Sequence, residues 1–117
     1  MFNRNRIELT GNIVQAAHTT AAGEATVTHA RIIYSESVAS NGGDPVTWLT
    51  AIDLEIWGRR GKAFAKHVTT KTPIYIEGRL QLDQWESDGK RRSKLFIRVS
   101  DWQFLASKQP LKNTPKA

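Results

Sequence analysis

The feature that most constrains the fold is an alternation of apolar and polar residues with a period of two, which runs through most of the sequence. A strand directs successive side chains to opposite faces, so this alternation predicts β-strands with one buried face. We predict strands over residues 7–13, 25–37, 47–57, 74–85 and 93–104. Residues 16–24, rich in alanine and threonine, are predicted to connect the first two strands, and residues 38–46 to form a mobile hairpin loop.

One segment breaks the alternation. In residues 58–71, GRRGKAFAKHVTTK, Phe64 and Val68 are four residues apart, which predicts an amphipathic helix of about three turns. Thr69-Thr70 and Pro73 are predicted to end this helix, since proline cannot continue it. The order of three strands, one helix and two strands predicts an all-β protein with one short helix. We predict an OB-fold, a five-stranded Greek-key barrel with a helix between strands three and four.

The length of the sequence, 117 residues, predicts a single folded domain. We assign residues 1–105 to the OB-fold and residues 106–117, which are polar and aperiodic, to a flexible basic C-terminal tail. The sequence begins without an apolar segment, has no stretch approaching the roughly 20 apolar residues of a membrane span, and contains no cysteine. We therefore expect a cytoplasmic protein without membrane contact, signal peptide or disulfide bond.

The net charge of the sequence indicates which class of partner it binds. The sequence contains 17 Lys and Arg against 11 Asp and Glu, which gives a net charge of +6. A basic domain attracts polyanions, of which nucleic acid is the first candidate and an anionic membrane surface the second.

The two faces of each strand have different compositions. Five short strands cannot bury both faces, so the apolar face is predicted to form the core and the other face to lie outside. On the fourth strand the predicted core residues are Ile74, Ile76, Leu80 and Leu82. The candidate binding residues are Trp48, Trp57, Trp85, Tyr75 and Phe96 among the aromatics, and Arg31, Arg59, Arg79, Arg91, Arg92, Lys94 and Arg98 among the cations.

The last hairpin carries the clearest signal of function. Trp85 stands before its Asp88-Gly89 turn, and residues 90–94, KRRSK, follow the turn. Exposed rings beside cations suit a single strand of nucleic acid, because unpaired bases stack on aromatic side chains and phosphates attract Lys and Arg. A duplex would hide its bases from the tryptophans. The hairpin therefore predicts a clamp for single-stranded nucleic acid.

Some of these residues have structural alternatives. Trp57 lies where a core or subunit contact is equally expected, and Trp102, close to Phe104, favours the core or an interface. Asp53 and Glu55 would repel phosphates, so we expect them to pair with neighbouring arginines. The three histidines have no ligand spacing, and we expect no catalytic residue, no metal site and no cofactor.

Two stretches of the sequence resemble the bacterial-type single-stranded DNA-binding protein family. NRIELTGNIVQ is similar to the family's first strand, and residues 50–105 are similar to its second half almost continuously. The shared motifs are a Trp-Gly step into the helix, an apolar-Glu-Gly-Arg-Leu strand, a Trp before the fourth turn and a closing Gln-Phe-Leu. The likeness covers about residues 3–105.

The resemblance implies sequence-independent binding and protection of single-stranded DNA in replication, recombination and repair. It implies a nucleoid-associated homotetramer, with a homodimer as the alternative, that is not an enzyme. Trp57 and Trp85 match the family's base-stacking positions. The family often has an aromatic residue in place of Ala51, for which Trp48 is a candidate substitute, and Asp53 matches a subgroup in which it is structural.

The end of the sequence departs from the family. The family usually closes on a flexible linker and an acidic tip that recruits replication and repair enzymes, whereas this sequence ends on KNTPKA. We interpret the sequence either as a fragment or as a tailless member of the family, and only the second interpretation removes that recruitment. The alternatives are an OB dimer like the primosomal replication protein, which the predicted helix disfavours, a mobile-element accessory protein that acts on single-stranded DNA, and a metal-dependent nuclease.

Overall fold

The strands close into a barrel in this computed structural model, which describes residues 3–105. The elements are β1 (Ile7–Ala22), β2 (Ala25–Val38), β3 (Val46–Trp57), α1 (Gly58–His67), β4 (Pro73–Ser87) and β5 (Lys90–Phe104). Around the barrel the order is β1-β2-β3-β5-β4, with β3 and β5 parallel and the other pairs antiparallel. The predicted five-stranded OB-fold with a helix between β3 and β4 is confirmed. The predicted tail at residues 106–117 lies outside the described residues.

The core is made of the inward-facing apolar residues of all five strands. At most 1% of the surface of each of the largest of these is exposed: Ile13, Ile32, Leu54, Ile56, Ile74, Ile76 and Ile97. Each such side chain stabilises the fold by about 1.5–3 kcal/mol on burial. The core therefore fixes which face of every strand points outward.

The helix α1 packs against β1, β2 and β3. Phe64 of α1 is fully buried and meets Trp102 edge-to-face, with 5.2 Å between ring centroids. A Cβ at position 61 would collide with the carbonyl oxygen of Ile56 and lie 2.8 Å from Oγ1 of Thr28, so only glycine allows this approach. Trp102 is 6% exposed, which confirms that it belongs to the core.

The first strand is longer than the sequence predicts. We expected it to end at residue 13 and residues 16–24 to be a connection, but β1 continues to Ala22 and pairs with β2 as far as Ala25. The pairing of β1 with β2 is irregular on both sides of Gln15. Each irregularity adds one residue to β1 and breaks the alternation between Ile13 and His18. The residues beyond, HTTAA, contain no large apolar side chain whose spacing would indicate a strand.

The hairpin of β4 and β5 extends beyond the barrel. We expected Leu80 and Leu82 in the core, but they are 38% and 52% exposed. The prediction is wrong because β1 pairs with β4 only as far as Gly78, so no strand covers the inner face of the hairpin farther along. At the tip, Asp88 and Gly89 have φ angles of 54° and 74°, the left-handed pair that a two-residue hairpin turn requires.

Candidate nucleic-acid interface

A continuous band of charged and aromatic side chains crosses the outer face of β2, β3, β5 and β4. The strand register places Arg31 opposite Asp53, Glu55 beside Arg98, Arg98 opposite Arg79, Asp83 opposite Lys94, and Trp85 opposite Arg92. Paired residues on neighbouring strands share a face. We call these residues, together with Trp57 at the end of β3, the outer band.

Trp57 occupies the junction between β3 and α1, where it is the N-cap of the helix. Its ring is 40% exposed, and its Nε1 donates a hydrogen bond of 2.8 Å to Oε1 of Glu55. The guanidinium of Arg98 donates to the same oxygen at 3.1 Å, and its Cζ lies 5.7 Å from the centroid of the Trp57 ring. One carboxylate therefore holds an exposed indole and a guanidinium side by side.

A cavity of about 470 Å³ opens beside this ring. Its lining residues are Trp57, Arg60, Arg79, Arg98, Val99 and Ser100. The guanidinium of Arg60 is committed to the carboxylate of Asp101 and to the backbone oxygen of Trp102, both at 2.6 Å. Arg79 makes no ion pair with any carboxylate in the described part of the chain. The cavity thus combines an aromatic surface with a cation that is free to meet an anion.

A second carboxylate lies in the middle of the outer band. Asp53 pairs with Arg31 at 2.8 Å and with Lys94 at 3.1 Å. The side chains of Arg31 and Lys94 remain 42% and 48% exposed, and pairs this exposed contribute at most about 1 kcal/mol. The predicted pairing of Asp53 and Glu55 with neighbouring arginines is confirmed. A phosphate can therefore compete for these cations at small cost.

The tip of the β4–β5 hairpin divides its cations between two faces. Trp85 is 46% exposed and lies opposite Arg92, whereas Arg91 lies opposite Glu86. Adjacent residues on a strand point to opposite faces. Arg92 therefore accompanies Trp85 on the outer band, and Arg91 lies on the other side of the hairpin.

The comparison with known protein families agrees with this geometry. Residues 4–105 match the model described as the single-strand binding protein family. The chain belongs to the single-strand binding protein family.

Relatives in this family come from several bacteria. The chain is 28% identical over 109 residues to the single-stranded DNA-binding protein of Treponema pallidum (strain Nichols), which covers 92% of this chain and 61% of that protein. It is 38% identical over 72 residues to single-stranded DNA-binding protein 1 of Synechocystis sp., covering 60% of this chain and 57% of the relative. The chain thus spans about three fifths of the length of these relatives.

Solved structures of single-stranded DNA-binding proteins share the fold. A complex of the Plasmodium falciparum protein with single-stranded DNA superposes with a TM-score of 0.79 at 15% identity, covering 91% of this chain and 98% of that chain. A variant of the Thermus aquaticus protein superposes with a TM-score of 0.78 at 18% identity, covering 90% of this chain and 52% of that chain.

Within this member of the single-strand binding protein family, two predicted aromatics add no exposed ring to the outer band. Phe96 was expected to be exposed, and the register places it on the outer face between Asp53 and Gln81, but β5 runs between β3 and β4 here and only 4% of the residue is exposed. Trp48 is 63% exposed, but the alternation along β3 places it on the opposite face from Trp57. The prediction that Phe96 offers a stacking surface is therefore wrong.

Tyr75 and Arg59 occupy the margins of the site. Tyr75 lies where β4 pairs with β1, and its hydroxyl donates a hydrogen bond of 2.9 Å to Glu77. That hydrogen bond, with partial burial, raises the pKa of Tyr75 to about 12. Arg59 is exposed in the first turn of α1, two residues after Trp57.

Glu55 has a role in orienting Trp57 that was not predicted from the sequence. Its pairing with an arginine was expected, but its hydrogen bond to the indole of Trp57 was not. Residues two apart on a strand share a face, so the Glu-Ile-Trp spacing was the available signal. Within residues 3–105 no group of three or more His, Asp or Glu side chains is arranged to hold a metal ion, and no helix there is long and apolar enough to cross a membrane.

Proposed function

We propose that this chain binds single-stranded DNA without sequence preference and protects it in DNA replication, recombination and repair. The single observation that carries the proposal is the shared cavity of Trp57 and Arg79, lined by an exposed indole and by a guanidinium that makes no ion pair within residues 3–105. A base would stack on the indole while the adjacent phosphate meets the guanidinium. The family of the chain supports this function.

The outer band supports a path for the strand that runs from Trp57 across β5 to the hairpin tip. We infer that Trp57 and Trp85 stack on bases, each contributing about 1–3 kcal/mol. Arg79 and Arg92 meet phosphates directly, and Arg31, Lys94 and Arg98 do so by exchanging their carboxylate partners. None of these contacts distinguishes one base from another, since every base has an apolar face and every nucleotide a phosphate.

We further propose that the protein is not an enzyme and acts as a homotetramer in the bacterial cytoplasm, at the nucleoid. Self-association is supported by apolar side chains that a single chain leaves in water: Leu49, Leu82 and Leu95 are 65%, 52% and 50% exposed. They lie on hairpins beyond the barrel, where a second copy would cover them. The helix α1 argues against the dimeric primosomal alternative. Light scattering of the purified chain tests the assembly.

A fluorescence titration tests the function. The tryptophan emission of the chain is followed while dT oligomers, or a duplex of equal length, are added at two salt concentrations. We expect quenching by the dT oligomer, much weaker binding of the duplex, and an affinity that falls as salt rises. Equal affinity for the duplex, or no quenching by dT, would contradict the proposal.

A further inference from the structure

We propose that His18 and His29 form a binding site for a divalent transition-metal ion of the Zn²⁺ class on the outer face of β1 and β2. The two residues are direct cross-strand partners. Their imidazole rings lie 5.5 Å apart between centroids, with 31° between the ring planes. The site adjoins the outer band, but the proposal does not rest on the proposed function, because occupation by the ion requires no nucleic acid.

The separation of the two rings fits a single shared ion. A zinc ion lies about 2.0–2.1 Å from an imidazole nitrogen, which places it about 3.2 Å from the ring centroid. Two such rings at a tetrahedral angle have centroids about 5.2 Å apart. The 5.5 Å of the His18–His29 pair is close to this value. The separation of the rings is therefore that of two ligands of one ion, provided that each ring turns a nitrogen toward it.

The irregular pairing of β1 is what brings the histidines together. Gln15 pairs with Arg31 and His18 pairs with His29, so β1 advances three residues while β2 advances two. In a regular strand, residues three apart point to opposite faces. The extra residue turns Gln15 and His18 to the same outward face as Arg31 and His29. Bulges of this kind re-aim side chains and often lie next to functional sites.

A cavity of about 440 Å³ adjoins the pair and leaves space for further ligands of the ion. Gln15 also lines this cavity, and its amide oxygen is a candidate for a third ligand. Because the described residues hold no cluster of three ligating His, Asp or Glu side chains, the remaining positions of the ion would be filled by water. The site is therefore open to solvent.

The charges around the cavity do not prevent binding. Arg31 and Lys94 line it, but both are paired with Asp53, whose carboxylate lies in the same cavity. Neutral imidazole is a preferred ligand of zinc, copper and nickel, whereas magnesium and calcium prefer oxygen. We therefore expect Zn²⁺ to bind and Mg²⁺ not to bind.

Calorimetric titration of Zn²⁺ into the DNA-free full chain tests the site. The variants are His18→Gln and His29→Gln, and the matched control is His67→Gln, which removes the exposed histidine at the end of α1. Loss of an outer-shell partner alone weakens metal binding about 10- to 100-fold, so loss of either ligand should weaken it at least about ten-fold. The control should bind one Zn²⁺ per chain, as the unaltered protein does.

Two further measurements make the outcome decisive. Zn²⁺ should raise the thermal midpoint of the unaltered chain and of His67→Gln, but not that of His18→Gln or His29→Gln. The mass by light scattering should be the same with and without Zn²⁺. Equal Zn²⁺ affinity in all four proteins, or a Zn²⁺-dependent increase in mass that places the ligands on two copies, would overturn the proposal. None of these readouts depends on the binding of DNA.

Discussion

The indole nitrogen of Trp57 donates a hydrogen bond of 2.8 Å to Oε1 of Glu55, the same oxygen that accepts hydrogen bonds from Arg98. A carboxylate in a surface for polyanions lowers the local positive charge, yet here it fixes the orientation of the ring. Fixing the ring before binding reduces the side-chain ordering that binding would otherwise require. Glu55 therefore weakens the electrostatic attraction for DNA but fixes the orientation of the Trp57 ring on which a base would stack.

This relationship predicts the effect of Glu55→Gln. Glutamine keeps an oxygen that accepts from the indole but removes the negative charge, so Arg98 becomes free to meet a phosphate. We expect tighter binding of dT oligomers at low salt and a slope of log affinity against log salt that is steeper by about 0.7. Glu24→Gln, at the exposed β1–β2 turn, is the control for the change in net charge. Weaker binding by Glu55→Gln would contradict the prediction.

The stacking rings predict the largest losses of affinity. Trp57→Ala and Trp85→Ala should each weaken binding of poly-dT by about 1–3 kcal/mol, because each removes the surface for one base. Phe104→Ala removes an exposed aromatic that lies outside the outer band and should change the affinity little. Fluorescence anisotropy of a labelled dT oligomer measures all three. An unaltered affinity in either tryptophan variant would remove that residue from the path of the strand.

Neighbouring arginines at the hairpin tip should behave differently. Arg92 shares the outer face with Trp85, whereas Arg91 points to the other face. We expect Arg92→Gln to lower the magnitude of the salt slope by about 0.7, the value for one lost phosphate contact of a single strand. Arg91→Gln makes the same change in net charge one residue away and should leave the slope unchanged. If both variants lower the slope equally, the strand wraps around the tip.

The buried tryptophan should govern stability rather than binding. Trp102 packs on Phe64, and its Nε1 donates to the backbone oxygen of Arg60 at 3.0 Å. We expect Trp102→Ala to lower the free energy of unfolding by about 3–5 kcal/mol. Trp57→Ala, at a half-exposed ring, should lower it by less than about 1 kcal/mol. Urea denaturation followed by circular dichroism compares the two, and similar losses would contradict the assignment of Trp102 to the core.

The raised pKa of the Tyr75 hydroxyl predicts that the stability of the fold falls at alkaline pH. The fold raises the pKa of its hydroxyl from 10.0 to about 12, chiefly through the hydrogen bond to Glu77. Folding thus favours the protonated phenol, and this stabilisation is complete below pH 10 and lost as the pH rises to about 12. The difference in thermal midpoint between the natural chain and Tyr75→Phe should shrink over this window. A difference in thermal midpoint that stays constant from pH 10 to about 12 would contradict the raised pKa of Tyr75.

Much of the interface could be predicted from local pattern. The helix at Phe64 and Val68, the Asp88-Gly89 turn and the exposure of Trp85 all follow from spacing within a few residues. The separation of Arg91 from Arg92 also follows from the alternation along one strand, although the run of cations suggested one cluster. Periodicities of two residues and of 3.6 residues join positions that are close in the chain, so the sequence alone shows them.

What the sequence determined by itself is therefore the kind and order of the elements, and with them the barrel and the family. The tertiary structure alone decided that Phe96 is covered, that Leu82 is exposed, and that His18 faces His29. The physical reason is that the burial of a side chain depends on which strands become neighbours and on where one strand extends beyond the strand that it pairs with. Barrel closure sets these relations between residues far apart in the chain, and the two extra residues of β1, one on each side of Gln15, decide which side chains of β1 meet those of β2.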